Sequence, residues 1–358
     1  MIDNPLQAAT TLAIELAERG WLPDRVLRAG MRRFVRARLA DERARAAGDA
    51  AGAEAAFAAA MSLGPIAPLA EKANEQHYEV PPEFFRSVLG PRLKYSCAFF
   101  PGPETSLAEA EGRALEQVCA RAEIGDGMRV LDLGCGWGSL SLFIAERYPD
   151  ARVVAVSNSK PQREHILAEA ARRGLERLQV VTANFADFEP EGRFDRVVSV
   201  EMFEHLRNWD AALGRVERWL APDGKLFVHV FCHRELAYPF EVTGSADWMA
   251  RNFFSGGLMP SAGLIRRFER SLRVESEWRV SGSHYARTAE AWLANLDRER
   301  DTVLRILGAG RGGHFAARAL QRWRLFFMAV AELFGTAGGE EWQVAQYRLV
   351  RSTGGGAS

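Results

Sequence analysis

Between residues 126 and 230, short apolar runs recur at regular spacing and alternate with segments of helical periodicity. Five runs have strand length: 128–133, 152–157, 178–182, 194–200 and 224–230. They are nearly continuous rather than alternating, which suits strands covered on both faces of a parallel sheet. Between them, apolar residues such as Leu140, Phe143, Ile144 and Tyr148 return at three- and four-residue spacing, so helices flank the sheet. Ala221-Pro-Asp-Gly224 predicts a turn before the fifth strand. Two more strands are predicted at 272–280 and 341–350, with a helical stretch over about 288–335 between them. The pattern predicts an α/β fold with a mostly parallel, seven-stranded sheet.

The flanks read differently. Residues 10–45 predict helix, with Leu27, Met31, Phe34 and Leu39 on one stripe and Arg25, Arg28, Arg32, Arg33, Arg36 and Arg38 crowding the rest. Residues 46–63 are alanine-rich and interrupted by Gly48 and Gly52, a low-complexity helix or linker. Residues 235–267 break the strand-helix rhythm with Trp248, Phe253, Phe254, Gly256 and Gly257. An insertion there, after a central strand, is placed to lid a pocket. The expected division is an N-terminal helical region (1–70), cap helices (71–125), a core (126–350) with the lid at about 235–267 and C-terminal helices at about 288–335, and a disordered tail (351–358).

Composition narrows the functional classes. Forty-six basic and 46 acidic side chains leave the 358-residue chain without net charge, so no general pull toward nucleic acid is expected. The arginine-rich helix suits either anionic lipid or a solvated face of a cap, and the second is preferred here. Cys97, Cys119, Cys135 and Cys232 lack zinc-type pairing and an oxidative framework, so no metal site is predicted and a reducing cytoplasm is expected. No signal peptide or bilayer-length apolar run is read. A homodimer is left open.

The strongest motif is Val130-Leu-Asp-Leu-Gly-Cys-Gly-Trp-Gly138, an apolar strand ending in Gly134, Gly136 and Gly138 before a helix. Such a turn lets a ligand touch bare backbone at a helix N-terminus. The dinucleotide fingerprint needs a glycine at the sixth position, where Ser139 stands, and no phosphate-loop Lys-Ser/Thr pair follows. The remaining fit is S-adenosylmethionine, which carries an adenosine but no phosphate. A second constellation ends the fourth strand: Glu201-Met-Phe-Glu204-His205. One helical turn would set both carboxylates on one side, at the strand end where open α/β sheets bind ligands. Spacing alone also fits a surface helix start with acids near its N-terminus.

These blocks, with Asn74-Glu-Gln-His-Tyr78, Tyr95-Ser-Cys97, Phe231-Cys-His233, Phe254-Ser-Gly-Gly257, Met259-Pro-Ser261, His284-Tyr-Ala286, Ala331-Glu-Leu-Phe-Gly335 and Gly339-Glu-Glu-Trp342, resemble the cyclopropane fatty acid synthase superfamily of S-adenosylmethionine-dependent transferases. The resemblance runs from about 70 to 350 and is greatest to its coclaurine N-methyltransferase branch. It implies a class I methyltransferase Rossmann-like fold, S-adenosylmethionine as cofactor and S-adenosylhomocysteine as product. By resemblance, Gly134 and Gly136 approach the methionine part and ribose, and Ser157, Asn158 and Gln162 hold the ribose where other methyltransferases place an acid. Helix capping is an alternative for Ser157 and Asn158. Asn184 and Phe185 would flank the adenine, with Phe185 equally readable as core. Tyr95 and Ser96 would close over the methionine end, beside Trp137 and Val200.

The resemblance implies a small-molecule amine as acceptor, plausibly a tetrahydroisoquinoline such as coclaurine. An alkyl amine with a pKa of about 10.4 is only on the order of 0.1% neutral at pH 7, a shortfall of roughly 4 kcal/mol. Glu204 and His205 are therefore expected as the base pair and Glu201 as the amine's anchor. Cyclopropane synthases hold bicarbonate on residues that fall here on Cys97, Glu204, His229 and Tyr285. They have a small residue at position 201, usually glycine, where a carboxylate suits a cation better than an olefin. His233, Tyr238, Phe326 and Phe327 are expected around the acceptor, with His233 also readable as a solvent-facing loop residue. The rival expectations are a lipid-modifying enzyme and a non-catalytic cofactor-binding module.

Overall fold

A computed structural model describes residues 5–67, 80–241 and 247–352. The Asn74–Tyr78 block, including His77, and residues 353–358 of the expected tail lie outside them. Three helices come first: α1 (Pro5–Glu18), α2 (Asp24–Arg45) and α3 (Ala50–Met61). The single helix expected over 10–45 is broken at Gly20, whose φ of +73° is left-handed, and by Pro23. Helices α4 (Pro82–Val88) and α5 (Leu107–Arg121) follow, the latter started by a Ser106–Glu109 capping box.

The alternating core then runs β1 (Arg129–Leu133), α6 (Ser139–Arg147), β2 (Arg152–Ser157), α7 (Lys160–Arg173), β3 (Leu178–Thr182), β4 (Phe194–Val200), α8 (Trp209–Trp219) and β5 (Leu220–His233). β5 starts earlier than expected. The Ala221–Gly224 turn survives as a bulge, because Phe194 pairs with Leu220 but Arg196 pairs with Lys225. The 235–267 segment holds a two-strand ribbon, β6 (Tyr238–Pro239) with β7 (Leu258–Met259), and the short α9 (Trp248–Asn252). β8 (Leu272–Val280), α10 (Gly282–Arg298), α11 (Arg300–Gly308), α12 (Gly313–Phe334) and β9 (Trp342–Arg351) complete the chain.

The main sheet has seven strands in the order β3-β2-β1-β4-β5-β9-β8, parallel except for β9, which runs against both its neighbours. This is the expected mostly parallel sheet. Strand alternation sends Val130 and Val198 to one face under α5–α7, and Leu131, Leu133 and Val197 to the other under α8. A third apolar cluster joins the C-terminal helices to α4 and the 235–267 segment through Phe85, Trp292, Trp323 and Phe326.

Part of the basic stripe of α2 is paired inside the molecule, while Arg25, Arg33 and Arg36 are exposed. Arg28 pairs with Glu290 and Glu332, Arg32 with Glu332, Arg38 with Asp247, and Arg43 with the buried Glu341. The chain beyond α3 reaches the strand-end pole of the sheet, where the Arg207 amide donates to Ile66 O at 2.7 Å. Asn208 Nδ2 donates to Ser62 O and Gly64 O. Among the described residues no helix is long and apolar enough to cross a membrane.

Candidate functional site

The turn after β1 lines a narrow pocket with a cavity volume of about 70 Å³. All three glycines have positive φ, and each is required for its own reason. A Cβ on Gly134 would come within 2.8 Å of Met202, and one on Gly138 within 2.6 Å of Ile166. A Cβ on Gly136 would meet nothing within 4 Å, so this residue's backbone faces the open pocket. Asp132 beneath the turn is buried, accepts the Ser141 hydroxyl at 2.5 Å, and is pushed up to about 6 by burial.

Tyr95, Ser96, Gly134, Gly136, Trp137, Gln162 and Val200 all line this pocket, and Glu201 closes one end. Ser157 stands behind Gln162 and donates to its Oε1 at 2.6 Å. That bond turns the Gln162 amide so that its Nε2, which has no hydrogen-bond partner, is left for a ligand. The cap of α7 is Ser159, not Ser157. Asn158 is half-buried at the same strand end. Asn184 and Phe185 follow β3 outside the lining. The Phe185 ring is half-buried and edge-on to Trp219 at 5.7 Å, which favours its packing reading.

Lys94 has no place among the expected site residues. It lines the pocket, is buried, and donates to Ser96 Oγ at 2.5 Å and Cys97 O at 2.7 Å. Burial pulls its pKa below the usual lysine value, and the Glu201 charge opposes that. Composition carries a signal: the chain has four lysines among 46 basic residues, so a lysine kept beside Tyr95-Ser-Cys97 stands out.

At the far end of the pocket the chain leaves β4 sharply. Glu201 has φ of +51°, a left-handed backbone costly for a side chain with a Cβ. A single 3₁₀ turn, Phe203–His205, follows in place of the expected helical turn. The carboxylates therefore make different bonds. Glu201 accepts from the Cys97 amide at 2.9 Å and from the Tyr285 hydroxyl at 2.6 Å. His229 Nε2 lies 3.3 Å from Glu201 Oε1, off the hydrogen-bond direction. Three of the four residues expected around bicarbonate thus converge on the chain's own carboxylate, Cys97 through its backbone. Despite burial, His229, Lys94 and the Cys97 amide hold Glu201 below the usual glutamate value.

Glu204 is fully buried. Its Oε1 accepts from the Phe231 amide at 2.9 Å, and its Oε2 has no hydrogen-bond partner. Burial and then the Glu201 charge push its pKa well above the usual value. His205 lies nearly parallel to Phe254 with centroids 6.3 Å apart, and burial pulls it down to about 4. The pole thus favours an ionised Glu201 and a neutral His205, and it makes Glu204 hold its proton more tightly than an ordinary carboxyl group.

Other expected acceptor residues fare differently. Phe326 faces Phe254 at 6.0 Å, whereas Phe327 lies behind it against Trp292 and Trp323. His233 is neither a pocket wall nor a loop residue. It is fully buried, with Nε2 3.2 Å from Glu341 and Nδ1 accepting from the Glu235 and Leu236 amides. The Tyr238 hydroxyl accepts from Trp342 Nε1 at 3.0 Å, also a structural bond.

The pocket fits S-adenosylmethionine. Trp137 Nε1, Ser139 Oγ and Gln162 Nε2 are buried without hydrogen-bond partners around an exposed glycine backbone, which suits a polar ligand free of phosphate. Fold and pocket together define an S-adenosylmethionine-dependent methyltransferase of class I type. The family described as mycolic acid cyclopropane synthetase matches residues 68–344, and the chain belongs to it. It is 38% identical over 284 residues to (S)-coclaurine N-methyltransferase of Thalictrum flavum subsp. glaucum, covering 78% of this chain and 79% of that one. It is 29% identical over 268 residues to cyclopropane-fatty-acyl-phospholipid synthase of Escherichia coli (strain K12), covering 71% and 67%. A crystal structure of coclaurine N-methyltransferase bound to N-methylheliamine and SAH superposes with a TM-score of 0.89 at 31% identity, covering 97% of this chain and 99% of that one. The chain is an enzyme, an N-methyltransferase, and its cofactor is S-adenosylmethionine.

Proposed function

We propose that the enzyme methylates the nitrogen of a ring-bearing secondary or primary amine of the tetrahydroisoquinoline type. The observation that carries this is Glu201: a carboxylate held ionised at the end of the cofactor pocket, across from the buried Lys94 and beside His229 and Tyr285. A fixed negative charge there draws a cationic amine and has no use toward an acyl olefin. Phe231, Phe240 and Phe254, packed within 6.4 Å of one another beside His205, supply aromatic faces for the ring system.

Bound S-adenosylmethionine supplies a methyl group already activated on a positively charged sulfonium. The protein's task is to deliver the amine neutral and aligned. Glu201 holds the ammonium form. Glu204, once ionised, is a better-matched proton acceptor than an ordinary carboxylate because its pKa is raised, and its free Oε2 is the atom that takes the proton. His205 adds a neutral polar wall. Gly134, Gly136, Trp137, Gln162, Tyr95 and Ser96 hold the cofactor, with Ser157 behind Gln162. The lipid-surface reading is weakened because Arg28, Arg32 and Arg38 are paired within the molecule, while Arg25, Arg33 and Arg36 stay exposed.

The test is incubation with methyl-labelled donor against a panel of cyclic amines, with unsaturated phospholipid vesicles in parallel. One labelled N-methyl amine is expected. Label in phospholipid, or tight cofactor binding with no turnover of any amine, would overturn the proposal.

A further inference from the structure

Gln346 lies mid-strand in β9 and is 2% exposed. Its register partners are His229 on β5 and Trp278 on β8, so the three side chains share one face of the sheet. Arg121, the last residue of α5, covers that face. Its guanidinium sits 5.2 Å from the Trp278 ring centroid and donates to Gln346 Oε1 at 2.6 Å.

A guanidinium has donors only, so the Gln346 oxygen must face Arg121. The Gln346 NH₂ group therefore faces His229 Nδ1, at 3.0 Å. That group only donates, so Nδ1 presents its lone pair and the ring proton of neutral His229 is on Nε2. Nε2 points to the acceptor pole, 3.3 Å from Glu201 Oε1. Arginine stays protonated throughout the working pH range, so this orientation does not change with pH.

We propose that Gln346, oriented by Arg121, is a positioning residue that fixes His229 as the neutral tautomer with an unpartnered Nε2–H at the acceptor pole, beside Glu201. The inference rests on the reading of this pole as an amine site. An imidazolium would carry an Nδ1–H against the Gln346 NH₂, donor against donor. It would also set a second cation beside the incoming ammonium and cancel the Glu201 charge. Burial is the main opposition to His229 protonation; of the charged groups facing the ring, Glu201 favours protonation, while Lys94 and Arg121 oppose it. Cys97 and Tyr285, around Glu201, keep their protons because burial and the Glu201 charge raise both.

Gln346→Glu is the informative variant. Its carboxylate accepts from both Arg121 and an Nδ1–H, so His229 becomes doubly protonated. Gln346→Met removes the amide at similar volume. Histidine-labelled full-length protein with SAH bound, assigned with His229→Asn, is read by ¹⁵N NMR between pH 6 and 8. The wild type is expected to show an unprotonated Nδ1 and a protonated Nε2 throughout, and Gln346→Glu two protonated nitrogens. Amine turnover in Gln346→Glu is expected to fall on the order of 10–100-fold in kcat. SAH affinity should be kept, and the acid limb of the pH profile should move upward; Gln346→Met should fall between. A wild-type Nδ1–H, or an unchanged tautomer and pH profile in Gln346→Glu, would overturn the proposal. Parallel loss of SAH binding and turnover in both variants would do the same, marking a merely structural residue. If the wild type methylates no amine, the functional reading fails while the NMR result still decides the relay.

Discussion

The cofactor end and the acceptor end of this site differ in how far their polar atoms are bonded, the second leaving only Glu204 Oε2 and His229 Nε2 without partners around a bonded carboxylate. Around the glycine turn, Trp137 Nε1, Ser139 Oγ and Gln162 Nε2 are buried and unbonded, so a ligand completes their hydrogen bonds. At the other end, Glu201 is already engaged by Cys97 and Tyr285, with His229 beside it. The first end is a cradle of unpartnered donors whose affinity comes from bonding a polar ligand. The second is a pre-bonded charge cluster whose worth lies in its protonation states. Mutations should therefore separate into those that change cofactor affinity and those that change turnover.

The largest separation is expected from Glu204→Gln. Amine turnover should drop about 10²–10⁴-fold, the range of a lost general base, while calorimetry finds SAH affinity unchanged. Equal losses in both would erase the contrast between the two ends. In the wild type, kcat/KM for the amine should rise with pH on a limb set by Glu204. Because the base form is the active one and its pKa is raised, that limb lies above the ordinary carboxylate range, and Glu204→Gln should abolish it.

Glu201→Gly comes next. It removes the anchoring carboxylate at a backbone conformation that glycine prefers. Losing a charged hydrogen-bond partner of about 1.5–3 kcal/mol should weaken amine turnover on the order of 10–100-fold. Added formate, seated on the Cys97 amide and the Tyr285 hydroxyl, should restore part of it; no response to formate would mean that the cluster collapses without its side chain. Trp137→Phe tests the cradle. It should weaken SAH binding by about 0.5–1.5 kcal/mol, and kcat at saturating cofactor should stay put.

An effect of similar size to that of Trp137→Phe is expected on stability. Glu204 carries a raised pKa in the folded state, so the unfolded chain loses its proton first as pH rises. Stability then drains away from the unfolded value, about 4.3, up through the folded one. At neutral pH the cofactor-free Glu204→Gln protein should be about 1–2 kcal/mol more stable than wild type, measured by denaturant unfolding. A destabilised variant would contradict the buried, protonated state.

The cradle end is readable in the sequence because it is local. Strand, glycines and helix lie within twenty residues, and Ser139 at the sixth position of the turn by itself argues against a dinucleotide. The sheet is legible for the same reason: β2, β3, β4 and β8 occupy the predicted ranges. The charge cluster is only partly legible. Glu201 and Glu204 stand out by spacing, yet spacing places them on one helical turn. The left-handed residue 201 and the 3₁₀ turn send them to Tyr285 and Phe231 instead. Gln346 and Arg121 act through cross-strand register and a helix lying over the sheet, which no local pattern encodes, whereas Lys94 bonds locally to Ser96 and Cys97. His233 and Tyr238 mislead because polar residues in an aromatic segment resemble pocket walls until their bonds to Glu341 and Trp342 are seen.

The family match begins at residue 68, yet Ser62, Gly64 and Ile66 bond the residues just after His205. The boundary that defines kinship is therefore not the boundary of the working part. A chimera joined at residue 68 would keep every residue assigned here to cofactor or acceptor. It would still inherit a foreign brace on the turn that aims Glu204, so exchanging N-terminal segments between relatives is a route to altered amine selectivity without touching the pocket.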